Sequence, residues 1–277
     1  MEIPSSVTDL LRRALEEDIG PGDITTSLVI SRDRKSKARY LAKADFVLAG
    51  LPFAKEVFHL LDPSIRFRMF FRDGDRINKG NILAEVNGKT RDILAGERVS
   101  LNILQRLSGI ATLTEAYVKR VKEFKAKIVD TRKTTPCMRF MEKYAVKMGG
   151  GWNHRFGLFD AILIKDNHIE AAGGIRKAVN LARKGHHLSK IEVEVGNVKD
   201  LGKAIDAGAD VIMLDNMTVN DMKRAVEISN GRVKLEASGG VGLENVREIA
   251  ETGVDFISVG SLTHSAAAVD ISLKIVR

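Results

Sequence analysis

Polar, charged or glycine residues directly follow six short apolar segments in the second half of the sequence. They are Thr131-Arg132-Lys133, Lys165-Asp166-Asn167-His168, Glu194, Asp215-Asn216, Ser238-Gly239-Gly240 and Gly260-Ser261. Basic side chains capture carboxylates and phosphates, carboxylates hold divalent cations, and glycine-rich turns expose backbone N–H groups to anions. The combination predicts a site for an anionic, phosphate-bearing substrate.

The basic residues would form one cluster if adjoining loops carry them. The cluster comprises Arg132, Lys133, His154, Arg155 and Lys165. Such a cluster repels itself unless anions fill it, and arginine suits bidentate binding of a carboxylate or phosphate, while lysine acts as a point charge. A solvated basic rim is the alternative for each lysine taken singly. Because Lys133 and Lys165 both follow a predicted strand, we favour a binding pocket.

Two acids, Glu194 and Asp215, end neighbouring predicted strands and would face the basic side chains. Mg²⁺ usually takes one or two carboxylates together with phosphate oxygens and water, so two acids without histidine suit Mg²⁺ better than zinc. We therefore expect Mg²⁺ at Glu194 and Asp215, bound directly or through water. Salt bridges between these acids and the lysines remain the alternative.

Two glycine-containing turns follow late strands, at Ser238-Gly239-Gly240 and at Gly260-Ser261. Late-strand loops of α/β barrels commonly hold phosphate through backbone N–H groups. Glycine also serves any tight turn, so one such turn alone indicates little. The two turns together predict a phosphate site.

Short β-type segments alternate with helical stretches between residues 127 and 259. The predicted strands are 127–130, 161–164, 191–195, 211–214, 233–235 and 256–259, and the helical stretches between them include 174–182, 198–207 and 243–252. This alternation is typical of βα units with a parallel sheet, and no strand is followed by a convincing GxGxxG turn. We predict an incomplete parallel α/β barrel of the TIM type, in which the strand ends converge on one face.

The first half of the sequence indicates a small α+β domain. Helical spacing after Ser6 predicts a capped first helix, and Gly109 is a candidate break in a later long helix. Between the two helices lie short β-type segments, at 38–42, 65–71 and 82–86, and the long helix covers 92–124. We place an N-terminal α/β sandwich domain at residues 1–108 and the barrel domain at residues 109–277. This division leaves open whether the last residues pack back on the N-terminal domain.

The composition of the 277-residue chain narrows the class of protein. A single cysteine, Cys137, excludes an internal disulfide framework, and no CxxC-type spacing of metal ligands occurs. The acids within residues 1–20 are unlike a secretory signal, and no apolar run is long enough to cross a bilayer. We therefore expect a cytoplasmic protein with no membrane partner.

The formal net charge is +8, which favours anionic partners. Aromatic residues make up only 5% of the chain, and no basic stripe is interleaved with them. A non-enzymatic nucleic-acid binder is therefore disfavoured, and we expect no nucleic-acid partner.

Several long motifs match a known family. They are Asp130-Thr-Arg-Lys-Thr-Thr-Pro136, Glu142-Lys-Tyr-Ala145, Asn153-His-Arg155 and Ile162-Leu-Ile-Lys-Asp-Asn-His168. On these motifs the sequence resembles the quinolinate phosphoribosyltransferases, also called nicotinate-nucleotide pyrophosphorylases, nearly from end to end. One departure is Cys137, where the family usually has glycine.

The resemblance implies an N-terminal α/β sandwich, an incomplete barrel and a homodimer with shared active sites, and it leaves a higher oligomer open. It implies the reaction of quinolinate with phosphoribosyl pyrophosphate, which gives nicotinate mononucleotide, pyrophosphate and CO₂ in de novo NAD biosynthesis.

The resemblance also implies roles for individual residues. Arg98 from the partner subunit, Arg132, His154, Arg155 and Lys165 would bind the quinolinate carboxylates, Lys133 would contact both substrates, and Glu194 and Asp215 would face Mg²⁺ and the ribose. Thr131, Ser238, Gly239, Gly240, Gly260 and Ser261 complete the expected substrate-binding set, mainly around phosphate. We expect Lys133, Lys165, Glu194 and Asp215 to carry the catalysis.

Two other enzyme readings are open. A molybdenum-associated branch of the same family would act on another aromatic substrate, although the intact Asp130–Pro136 and His154-Arg155 motifs argue against it. A Schiff-base aldolase would use Lys165 or Lys133 as nucleophile. Such a lysine usually lies in an apolar pocket that suppresses its charge, whereas these lysines lie among acids and amides.

Overall fold

Helices and short antiparallel strands make up the first half of the chain in the computed structural model, which describes residues 2–185 and 188–276. In chain order these elements are α1 (Ser5–Ile19), α2 (Ile24–Val29), β1 (Lys35–Ala42), β2 (Phe46–Val47), α3 (Leu51–Leu61), β3 (Arg66–Met69), β4 (Arg76–Ile77), β5 (Ile82–Lys89) and α4 (Thr90–Val121).

Parallel strands and helices alternate through most of the second half. The elements are β6 (Lys127–Val129), α5 (Arg139–Met148), β7 (Ile162–Ile164), α6 (Asp166–Ala172), α7 (Ile175–Gly185), β8 (Ile191–Val195), α8 (Val198–Asp206), β9 (Val211–Asp215), α9 (Val219–Ser229), β10 (Lys234–Ser238), α10 (Val246–Glu251), β11 (Phe256–Ser258), α11 (Ser261–His264) and β12 (Ile271–Val276).

The chain divides into two compact units. The first consists of Met1–Glu115, Thr134–Gly150 and Ser265–Arg277, and the second consists of Ala116–Lys133 and Gly151–His264. The domain boundary that we predict between residues 108 and 109 falls inside α4, and it stays a prediction.

An antiparallel sheet forms the core of the first unit, with strand order β12-β1-β5-β3. Every second residue of β1 from Ala38 onward is buried, and the buried Tyr40 hydroxyl donates to Ser100 Oγ at 2.6 Å. The strand β12 pairs with β1 from Lys37↔Val276 to Ala42↔Ile271. This sheet with its helices confirms the predicted α+β class of the N-terminal domain.

Two local predictions in this unit are wrong. The first helix begins at Ser5, its N-cap is Pro4, and no side chain among the described residues caps it, so Ser6 is not the cap. The helix α4 is continuous through Gly109. A Cβ at this glycine would clash with the carbonyl oxygen of Ala267, so glycine serves close packing here instead of a break.

Six parallel strands form the sheet of the second unit, in the order β6-β11-β10-β9-β8-β7. Each neighbouring pair is parallel, as in Ser238↔Asp215 between β10 and β9. Ile191, Val193 and Val195 on one face of β8 are buried, and Glu192 on the other face is buried as well, which is usual where helices cover a parallel sheet. The six-stranded sheet confirms the predicted incomplete α/β barrel.

The unusual backbone at Cys137 fits the expectation of glycine at this position in the family. Its φ is 65°, in the left-handed region that favours glycine, and its side chain is exposed. In the described part of the chain, none of the helices combines the length and apolar character needed to span a bilayer.

Candidate active site

A cavity of about 590 Å³ opens at the C-terminal ends of the parallel strands, within the second unit. Its lining includes the predicted residues Thr131, Arg132, Lys133, His154, Arg155, Lys165, Glu194, Asp215, Ser238, Gly239, Gly240, Gly260 and Ser261. Among the predicted site residues that the structure describes, only Arg98 is not part of this lining. Arg98 lies on α4, in the first unit. The strand ends therefore bring the basic, acidic and glycine residues together as predicted.

A larger cavity of about 870 Å³ lies beside α6, α7 and α8. Among the predicted site residues that the structure describes, only Glu194 lines this larger cavity. Its charged lining mixes signs, since Lys177, Lys184 and Lys203 lie with Asp200 and Asp206. We assign the site to the smaller cavity because the charge pattern, and not the volume, matches an anionic substrate.

Lys165 and Glu194 form an ion pair across neighbouring strands. Lys165 follows β7, Glu194 lies on β8, and Lys165 Nζ is 3.1 Å from Glu194 Oε2. The backbone N–H of Lys165 donates to His168 Nδ1 at 3.0 Å, which fixes the start of α6. The alternative of a salt bridge between an acid and a lysine is thus present at Glu194.

Small residues leave room for the functional side chains at two turns. A Cβ at Gly239, whose φ is +90°, would clash with the Asn216 side chain that donates to Asp215 Oδ2 at 2.8 Å. A Cβ at Gly260 would lie 3.0 Å from Lys133 Cδ and 3.2 Å from His264 Nε2. These glycines therefore allow Asp215, at the end of β9, and Lys133, after β6, to approach the cavity.

Two hydrogen bonds hold the backbone of Lys133. The hydroxyl of Thr263, which is fully buried, donates to the Lys133 carbonyl at 2.8 Å. The Lys133 N–H donates to Thr131 Oγ1 at 3.0 Å. Both contacts orient the residue without using its ammonium group.

The two arginines of the cavity wall are close enough to affect each other. Burial lowers the pKa of Arg155, and the nearby charge of Arg132 lowers it further, while Glu192 and Asp160 raise it. Arginine stays protonated in proteins, so this crowding of positive charge favours an anion between the two groups.

His154 is bonded inside the protein through both ring nitrogens. The N–H of Arg155 donates to Nδ1 at 2.8 Å, so Nδ1 is an acceptor and carries no proton. The proton is therefore on Nε2, which donates to Glu192 Oε2 at 2.9 Å. The backbone N–H of His154 donates to Asp130 Oδ1 at 2.8 Å, and Asp130 is fully buried.

Glu236 is a lining residue that our sequence analysis missed. It lies on β10, is only 3% exposed, and its Oε1 has no hydrogen-bond partner in the described part of the chain. Burial and the charge of Glu192 raise its pKa to about 8, against the opposing influence of His154. An acid within an otherwise apolar barrel strand was the available signal, and the same signal marks Glu192. His264, which we did not assign to the site, also lines the cavity.

Two sets of residues could be considered for a metal ion. His154, Glu192 and Glu236 each offer a ligand atom, and these atoms lie within 4.8 Å of one another. His154 Nε2 already bonds Glu192 Oε2, so one ligand atom of this set is engaged within the protein. Glu194 and Asp215 both line the cavity as carboxylates, and this donor set fits Mg²⁺ beside a phosphate ligand.

The fold and the cavity define an α/β-barrel protein with a site for anions at its strand ends. Two family models match the sequence. The model of the quinolinate phosphoribosyl transferase N-terminal domain matches residues 23–108, and the model of the C-terminal domain matches residues 110–274. The chain belongs to the quinolinate phosphoribosyltransferase family.

Individual relatives match over nearly the whole chain. A probable nicotinate-nucleotide pyrophosphorylase (carboxylating) of Bacillus subtilis is 45% identical over 267 residues, which cover 96% of this chain and 92% of the relative. Quinolinate phosphoribosyltransferase (decarboxylating) 1b of Nicotiana tabacum is 43% identical and covers 96% of this chain and 81% of its own length. A solved nicotinate-nucleotide pyrophosphorylase of Francisella tularensis is 45% identical with a TM-score of 0.95, covering 99% of this chain and 98% of that chain.

The substitution Glu236→Gln is expected to remove a pH dependence of folding stability. Between pH values near the ordinary glutamate pKa of 4.5 and about 8, the folded state keeps a proton that the unfolded state releases. The free energy of unfolding therefore falls as pH rises, by up to about 1.4 kcal/mol per pH unit from this group. Urea unfolding of both proteins across this range measures the difference. A difference that stays constant with pH would contradict the raised pKa.

Proposed function

We propose that this chain transfers the phosphoribosyl group of phosphoribosyl pyrophosphate to quinolinate, with loss of CO₂. The products are nicotinate mononucleotide, pyrophosphate and CO₂, in de novo NAD biosynthesis. The observation that carries the proposal is one cavity that combines basic side chains, two carboxylates and glycine turns, in a member of this family.

The charges of the substrates match the cavity. Quinolinate is a dianion, and the sugar donor carries several more negative charges, so only a strongly basic pocket seats both. Arg132, Arg155 and Lys165 are assigned to the quinolinate carboxylates, and Lys133 is assigned to both substrates. Because both ring nitrogens of His154 bond inside the protein, we assign His154 to holding Arg155 instead of a direct bond to a carboxylate.

The phosphate end of the donor is assigned to the turns. Gly239 and Gly240 have positive φ values of 90° and 60°, which favour glycine, and both line the cavity. These N–H groups, those near Gly260, and the hydroxyls of Thr131, Ser238 and Ser261 suit phosphate oxygens.

Bond formation requires the pyridine nitrogen to attack the anomeric carbon as pyrophosphate leaves. The ribose then gains positive charge, which the carboxylates of Glu194 and Asp215 stabilise. Glu194 and Asp215 would also hold Mg²⁺, directly or through water, and the bound ion neutralises charge on phosphate oxygens. Lys165 shares Glu194, so it helps to orient that carboxylate.

Loss of CO₂ follows from the new bond to nitrogen. The ring becomes cationic, and a cationic ring stabilises the electron pair that remains on the adjacent carbon when its carboxylate leaves. The positive wall of the cavity holds the other carboxylate in place, so no separate organic cofactor is needed.

The active assembly is proposed to be a homodimer in which the partner subunit supplies Arg98, with higher oligomers left open. A cytoplasmic location and the absence of nucleic-acid and membrane partners belong to the same proposal.

Removing one wall cation is expected to stop turnover but to leave folding intact. Lys133→Ala and Arg155→Ala should each lower pyrophosphate release from quinolinate by at least about 100-fold. The free energy of unfolding should change by no more than about 1 kcal/mol, since the empty pocket loses repulsion between cations. Lys223→Ala on the exposed surface of α9 is the matched control and should keep wild-type turnover.

Two further tests make the assay discriminating. Other pyridine carboxylates replace quinolinate to test the molybdenum-associated branch, and borohydride trapping tests a Schiff-base aldolase. Wild-type turnover in Lys133→Ala or Arg155→Ala would contradict the site assignment.

Mixing Arg98→Ala with Lys133→Ala is expected to restore activity if Arg98 acts across the dimer. Each variant alone should be inactive, while a mixed dimer contains one site with both residues intact. Random exchange of subunits should then recover about a quarter of wild-type sites. Pyrophosphate release is measured after exchange, with differently tagged chains copurified to verify mixed dimers. Mixed dimers that are no more active than the separate variants would exclude a shared site.

A further inference from the structure

Glu236 is placed in the cavity but has no role in the binding and transfer steps described above. It lines the cavity although only 3% of the residue is exposed. Its Oε1 finds no hydrogen-bond partner within residues 2–185 and 188–276. A buried polar group without a partner is costly, so its presence beside a substrate site calls for a chemical reason.

The groups that face Glu236 come from several strands. His154 Nε2 lies 3.8 Å from Glu236 Oε1, and the other influences on this carboxyl come from Glu192 on β8, Asp130 after β6 and Ser258 on β11. Burial and the two acids act against ionisation and outweigh His154 and Ser258, so the pKa rises to about 8. Glu236 therefore carries a proton at neutral pH, at a position that adjoins the substrate cavity.

The proposed reaction needs one proton at the ring carbon that loses CO₂. The electron pair of the broken carbon–carbon bond stays on the ring carbon next to the nitrogen, and nicotinate mononucleotide carries hydrogen there. Arginine does not release its proton in proteins, and Lys165 is paired with Glu194. A neutral carboxyl that lines the cavity is suited to this transfer, since a general acid works best when its pKa is near the working pH.

We propose that Glu236 donates the proton to the ring carbon that loses CO₂. As the bond between that carbon and the carboxyl carbon breaks, its electron pair takes up the Glu236 proton in the same step. CO₂ leaves, the new C–H bond forms, and Glu236 becomes a carboxylate. Solvent restores its proton when the product leaves. This inference rests on the proposed function, and it adds a catalytic residue to it.

Glu236→Gln tests the inference because glutamine has nearly the same shape as a protonated glutamate but cannot donate this proton. Pyrophosphate and CO₂ are measured separately within a single turnover of quinolinate. In Glu236→Gln, pyrophosphate should form within about threefold of the wild-type rate, while CO₂ release falls at least about 100-fold. The phosphoribosylated ring that still carries both carboxylates should accumulate. Glu236→Asp keeps an acid at the site and should release CO₂ faster than Glu236→Gln.

The wild-type protein offers a second measurement that does not depend on a variant. Its CO₂ step should slow as pH rises through about 8, whereas Glu236→Gln, if folded, should show no such decline. Thermal unfolding at neutral pH verifies the fold, since glutamine replaces a neutral carboxyl.

Failure of the inference and failure of the proposed function give different results. A wild-type protein that forms neither pyrophosphate nor nicotinate mononucleotide from quinolinate contradicts the proposed function. An active wild type whose CO₂ step is independent of pH around 8, or a folded Glu236→Gln that releases CO₂ as fast as the wild type, overturns the role of Glu236.

Discussion

Repulsion among positive charges at the strand ends is the constraint on which the site depends. Arg132 and Arg155 affect each other through their charges, and Lys133 and Lys165 line the same cavity. Glu194 neutralises part of this charge at Lys165, and the remaining positive charge favours binding of a dianion and a phosphorylated sugar. The parallel sheet holds the wall in place because its strands fix the backbone from which each cation extends.

Four acids on the barrel strands divide into two sets. Glu194 and Asp215 line the cavity near the ends of their strands, and the proposed reaction assigns them to the sugar and to Mg²⁺. Glu192 lies on β8 two residues before Glu194, and Glu236 lies on β10 two residues before Ser238, where burial and the charge of Glu192 raise the pKa of Glu236. The barrel thus carries two carboxylates at the cavity, Glu194 and Asp215, and one buried, protonated carboxyl, Glu236.

Much of the barrel and its site could be predicted because apolar strands and the polar residues behind them are local patterns. All six predicted strands exist, and their ends meet at one cavity. Glu236 was missed because the predicted strand stopped at residue 235, whereas β10 continues to Ser238, so this acid was counted neither within the strand nor among the polar residues after it. The Gly109 prediction failed because this glycine packs against Ala267, a residue that is distant in sequence. The pairing of β12 with β1 likewise joins segments that are distant in sequence. The contribution of Arg98 depends on a second chain and stays a prediction.

The central claim is that the cavity recognises two adjacent negative charges on a pyridine ring. Thermal unfolding of the wild-type protein at constant ionic strength, with quinolinate or with the monoanion nicotinate, tests it most directly. A ligand that binds the folded state raises the midpoint of unfolding according to its affinity. The account predicts a clearly larger rise with quinolinate than with nicotinate at equal concentration. Equal rises, or no rise with quinolinate, would contradict it.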